Sequence, residues 1–159
     1  MIILGIDPGS RFCGYGLLEL DGNRVVAAGC EVIRLVQEKD LLKRLDMLYT
    51  AIDGLMTEYH PDVAVVESMF FQKHIKSIFT LGQARGVILL SIAQHHLPMI
   101  EYSPREVKKA VVGNGNASKQ QVRYMIKQMF KLKSAPLTDD AYDALGLAMC
   151  HHHRLRITR

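Results

Sequence analysis

The chain has 159 residues, 48% hydrophobic and 23% charged, enough for one domain with a real core over residues 1–159 and too few for two. No apolar run approaches the roughly 20 residues of a membrane span and no leader pattern opens the chain; Cys13, Cys30 and Cys150, odd in number and far apart, exclude a disulfide framework and any CxxC metal site and fit a reducing cytoplasm. The net charge of +4 is uneven: residues 1–102 carry nine Lys/Arg against twelve Asp/Glu, and residues 103–159 eleven against four, a basic last third that suits a polyanionic partner or a solvated face.

The opening run Met1-Ile2-Ile3-Leu4-Gly5-Ile6 predicts a strand buried on both faces, and Asp7-Pro8-Gly9 ends it in a turn. A carboxylate at a buried strand end wants a basic partner, backbone N–H groups or a metal ion, although Asp7 alone could simply cap the turn. Phe12 to Leu20 predicts a second strand, Asp21-Gly22 a hairpin turn, and Arg24 to Ile33 a third strand, an antiparallel meander. Asp40 is the expected N-cap of a helix whose Leu41, Leu45, Leu48, Ile52, Leu55 and Met56 recur at helical spacing, ending before Pro61.

Asp62-Val63-Ala64-Val65-Val66-Glu67 repeats the logic of the first strand, a short buried run with a carboxylate at its end. Meander, helix and buried strand together imply a mixed sheet with a right-handed crossover. Set parallel to the first strand, this one brings Glu67 beside Asp7, at the sheet edge where open α/β sheets bind ligands. A loop with Phe70 and Phe71 leads to a helix over 75–95, in which Gly82 and Gly86 each cost about 1 kcal/mol of helix propensity. They permit close approach of another element, either the sheet or a second subunit.

Met99 to Tyr102 predicts a fifth strand. Ser103-Pro104-Arg105-Glu106 and Ser118 with Gln121 are capping boxes for two short helices, separated by Gly113-Asn114-Gly115-Asn116. Lys119, Arg123, Lys127 and Lys131 recur every four residues as a basic stripe on the second, with Lys108 and Lys109 on the first; such a stripe neutralises phosphates or is a solvated face. Thr138 is the expected cap of the last helix, which opens Asp139-Asp140-Ala141-Tyr142-Asp143. Asp140 and Asp143 share a face, and Asp143 flanks the apolar stripe of Ala144 and Leu147, so it is expected to point toward the sheet. His151-His152-His153, in the last turns, reads as structural, and the cysteines as small apolar fillers.

Four carboxylates are therefore expected to converge: Asp7, Glu67, Asp140 and Asp143. Hard oxygen donors without His or Cys suit Mg²⁺ or Mn²⁺. Two such ions about 4 Å apart form a clamp for phosphodiester hydrolysis, one activating the attacking water and one stabilising the leaving 3′ oxygen. Phe70 and Phe71, beside Glu67, are either core residues or platforms that stack on unpaired bases.

Several motifs resemble the RuvC family of bacterial Holliday-junction resolvases: Gly5-Ile6-Asp7-Pro8-Gly9-Ser10 with Gly14-Tyr15-Gly16, Val65-Val66-Glu67 with Phe70, Leu81-Gly82-Gln83-Ala84-Arg85-Gly86, Val111-Val112-Gly113-Asn114-Gly115 with Lys119, and Asp140-Ala141-Tyr142-Asp143-Ala144-Leu145. The resemblance spans nearly the whole chain. It implies an RNase H-like fold, with a five-stranded mixed sheet flanked by helices. It also implies a homodimer that nicks opposing strands of a four-way DNA junction with two Mg²⁺ ions per subunit, in recombination and repair. By the same resemblance the metal-binding and catalytic acids are Asp7, Glu67, Asp140 and Asp143, and the DNA-contacting residues are Phe70, Lys108 and Lys119. Arg123 joins them as part of the basic stripe. Some members carry His where this chain has Asp140. The family also works with the branch-migration proteins RuvA and RuvB. The alternative is an RNase H-like nuclease acting on structured RNA; actin-like ATPases share the first turn but need a second domain.

Overall fold

A computed structural model describes residues 1–68, 75–131 and 138–157 of the chain. Phe70 and Phe71, each with a role expected from the sequence, lie outside the described residues. The sheet consists of β1 (Ile2–Asp7), β2 (Phe12–Asp21), β3 (Arg24–Arg34), β4 (Val63–Glu67) and β5 (Met99–Tyr102), in the order β3-β2-β1-β4-β5. β1 to β3 form the expected meander, and β4 and β5 join in parallel.

The helices are α1 (Leu41–Tyr59), α2 (Ile75–Gln94), α3 (Pro104–Val112), α4 (Lys119–Phe130) and α5 (Asp139–Ile157). Their ends follow from local chemistry. The Asp40 side chain caps α1 by accepting from the Lys43 N–H, and His60 closes it in the left-handed region before Pro61. Both expected capping boxes form, at Ser103 with Glu106 and at Ser118 with Gln121. Thr138 departs from expectation: its hydroxyl is buried without a hydrogen-bond partner among the described residues, and only its carbonyl joins the turn, accepting from the Ala141 N–H at 3.2 Å. The negative charge at the start of α5 comes instead from Asp139 and Asp140, where the helix dipole favours it.

Strand parity sorts the core into two layers. Ile3, Leu18, Val63 and Val65 point toward α3, α4 and α5, while Leu4, Ile6, Ala64 and Val66 point toward α1 and α2. β1, at the centre of the sheet, is buried on both faces as its sequence requires. The start of the parallel pair is pinned: the Ile2 N–H donates to Asp62 Oδ2 at 2.6 Å, and the Asp62 N–H to the Ile2 carbonyl at 2.8 Å. That pinning carries the register Ile3↔Val63 through to Ile6↔Val66, and so delivers Asp7 and Glu67 side by side.

α5 lies almost directly on β1 and β2. Gly5 faces Gly16 across the strands, and Asp7 faces Gly14. A Cβ at Gly5 would sit 2.0 Å from the Ala144 carbonyl oxygen, and one at Gly14 would sit 1.9 Å from that of Asp140. These glycines clear a track on which the first half of the helix rests. The far half is tied by its histidines. Buried His151 Nδ1 meets the Tyr102 hydroxyl at 2.9 Å, and His153 Nδ1 meets the Ala110 carbonyl at 2.9 Å. The structural reading of this His tract is thus borne out. The cysteines are all free and buried, and burial pushes the thiol of Cys13 up to about 12 and those of Cys30 and Cys150 to about 11.

Candidate active site

Three elements deliver the four predicted acids. Asp7 closes β1, Glu67 closes β4, and both follow the residue parity that faces α5. Asp140 and Asp143 stand one helical turn apart at the start of α5, which the glycine track holds against the sheet. The convergence shows in the electrostatics. Burial first, and then the charges of Glu67, Asp143 and Asp140, hold the Asp7 carboxyl well above the usual carboxylate range. Burial and Asp143 likewise raise Glu67. After burial, the charge of Glu67 is the largest influence on Asp7, so the two carboxyls are neighbours that repel when both are ionised.

Lys119 brings a cation into this group of side chains. Its Nζ lies 2.8 Å from Asp143 Oδ2, and that hydrogen bond raises the ammonium pKa. It also counters the charge of Asp7 and Glu67. The donor set is all oxygen, crowded and partly buried, with like charges that repel one another. That chemistry fits a hard divalent cation. As they stand, no three acidic, His or Cys side chains among the described residues are arranged to hold an ion.

The basic stripe of α4 follows the sequence reading in part: Lys119 and Lys131 are exposed, while Arg123 and Lys127 lean on α5. Arg123 Nη1 reaches Asp139 Oδ1 at 3.1 Å, and the Arg123 and Lys127 head groups lie 5.1 and 5.4 Å from the centre of the Tyr142 ring. Tyr142 is almost fully buried, and the quadrupole of its ring attracts the two cations that cover its face. Sequence spacing along α4 revealed the stripe but not the helix that it would meet. Lys108 lies half-buried on α3 and makes no ion pair among the described residues. Phe70 lies outside them.

One residue at the site escaped the sequence reading. Arg85, on α2, is buried, and its Nη1 donates to the main-chain carbonyl of Glu67 at 2.5 Å. Its Nη2 pairs with Glu101 on β5. The available signal was a single charge inside the otherwise uncharged stretch from Leu81 to Ile92.

Comparison with known proteins converges on one family. The family model described as crossover junction endodeoxyribonuclease RuvC matches residues 3–151. A protein of that description from Natranaerobius thermophilus is 41% identical over 157 residues, covering 99% of this chain and 98% of its own length. One from Vibrio vulnificus is 46% identical over 150 residues, covering 94% and 86%. Among solved structures, T. thermophilus RuvC in complex with Holliday junction substrate superposes with a TM-score of 0.89 at 26% identity, covering 99% of this chain and 96% of that one.

Proposed function

This chain belongs to the RuvC family of crossover junction endodeoxyribonucleases, and on that footing we propose that Asp7, Glu67, Asp140 and Asp143 form the centre at which it resolves Holliday junctions. The fold is RNase H-like, and the activity is that of an endonuclease on four-way DNA junctions. Membership displaces the reading as a nuclease of structured RNA. The observation that carries the site is the mutual electrostatic perturbation of acids from three separate elements.

In this reading the whole chain, 1–159, is one nuclease domain working in the bacterial cytoplasm with Mg²⁺. When bound, two such ions would supply the activation of water and the charge stabilisation of the leaving 3′ oxygen. The protein's own part is to orient. Asp7, Glu67, Asp140 and Asp143 would hold those ions, whose charge would offset the repulsion among the carboxylates, and Lys119, paired with Asp143 here, would be placed to meet a phosphate. Lys108 and Arg123 hold the DNA backbone on the same flank, and Phe70 stacks on a base opened beside Glu67.

The homodimer would use the outward face of α2. Among the described residues a Cβ at Gly82 or Gly86 meets nothing within 4 Å, so the sheet is not what these glycines accommodate. On the same helix Phe79 is 71% exposed and Leu90 53%. RuvA and RuvB are the proposed partners, on the strength of family membership alone. The test is cleavage of a mobile four-way junction by Asp7→Asn, Glu67→Gln and Asp143→Asn, with and without Mg²⁺. Cleavage should fall at least a thousandfold in each while junction binding persists. Substantial cleavage by Asp7→Asn would sink the reading.

A further inference from the structure

We infer that Arg85 is a positioning residue that sets the direction of the Glu67 carboxylate through the main chain; this rests on the reading of Glu67 as a metal ligand. Among the described residues the buried polar groups are Arg85, Ser91, His151 and His152. Burial lowers the pKa of both histidines, so Arg85 is the one that carries full charge at neutral pH. A buried cation is costly unless its donors are well used. Here a planar fork spans two acceptors, the Glu67 carbonyl and the Glu101 carboxylate, a task that suits guanidinium and not ammonium.

Position explains what the fork does. Glu67 is the last residue of β4, beyond the final β1 pair at Ile6↔Val66, so β1 no longer restrains its peptide there. On the other side only β5 holds it, through the Glu67↔Tyr102 pairing and the Ser68 N–H to Tyr102 carbonyl bond at 2.9 Å. Arg85 enters from the α2 face and fixes the carbonyl of Glu67, while its side chain projects on the α5 face toward Asp7. Rotation of that peptide would swing the carboxylate away from the other acids. Glu101, on β5, holds the guanidinium from the other side. Arg85 touches neither DNA nor metal in this arrangement; it acts through Glu67.

The experiment measures Mn²⁺ affinity by electron paramagnetic resonance on the full-length protein, beside junction affinity in chelator and the thermal midpoint. Arg85→Met should weaken Mn²⁺ binding about 10- to 100-fold, the usual range for a group that orients a ligand. Junction affinity should stay within about twofold. Arg85→Lys, whose single head reaches one acceptor, should recover part of the loss. A lower thermal midpoint with unchanged Mn²⁺ affinity would overturn the inference and leave Arg85 a packing residue. If Arg85→Met does not fold, Glu101→Ala unhooks the outer half of the fork and should weaken Mn²⁺ roughly threefold. No change in both Glu101→Ala and Arg85→Lys would then overturn it. Glu67→Gln separates the two layers: unchanged Mn²⁺ affinity there removes the ligand reading itself, whereas a loss there with none at Arg85 removes only the positioning.

Discussion

Two groups of glycines in this molecule do opposite things. Gly5, Gly14 and Gly16 lie under α5, where added Cβ atoms would meet helix backbone at 2.0, 1.9 and 2.6 Å. Gly82 and Gly86 stand on α2, where an added Cβ would meet no atom of the described residues within 4 Å. The first group is explained inside the chain: no side chain fits, and without the close approach Asp140 and Asp143 would be held off the sheet. The second group costs helix stability, about 1 kcal/mol per glycine, and receives no packing in return from the described residues. The proposed dimer would supply that return from outside the chain, as a second copy pressed against α2.

Gly14→Ala should be the most damaging way to break the contrast. The new methyl meets a main-chain oxygen, so α5 must lift where its acids begin. Expected are a stability loss of about 1–3 kcal/mol in urea titration and a fall in junction cleavage of roughly a hundredfold or more. A variant as stable and active as the parent would show that α5 does not depend on the track. Next, Gly86→Leu should leave the urea midpoint of dilute protein near the parent's but shift sedimentation from dimer to monomer. A dimer that survives with unchanged affinity would move the interface elsewhere. The smallest effect sharpens the same point: Gly82→Ala should stabilise dilute protein by about 1 kcal/mol, because the helix gains and nothing is displaced.

How much of this was legible depends on how local each cause is. The helix caps at Asp40, Ser103 and Ser118 and the Asp21-Gly22 hairpin are settled by residues a few positions apart, and the structure reproduces them. Asp7 and Glu67 were legible because a charge at the end of a buried strand has few places to go. Asp143 was legible from its place on the flank of an apolar stripe. What failed to show were pairings between elements. Arg123 reaches Asp139 and covers Tyr142 on a helix that its own spacing says nothing about. Arg85 finds a carbonyl 18 positions away. The Thr138 hydroxyl has the right identity for a cap, yet it sits buried and unpartnered among the described residues. The track of glycines is visible as residues, but its purpose requires knowing that α5 crosses there.

The three buried thiols turn the molecule into its own opening gauge. At neutral pH almost none of Cys13, Cys30 or Cys150 is thiolate, since burial holds them at about 12, 11 and 11. A thiol reagent therefore reads how often each is uncovered rather than how reactive it is. They are also divided between the two sides of the sheet: Cys13 packs in the layer under α1 and α2, while Cys30 and Cys150 pack in the layer under α3 to α5. Labelling rates at the three positions, followed by mass spectrometry, would time the loosening of each layer separately in the unmodified protein.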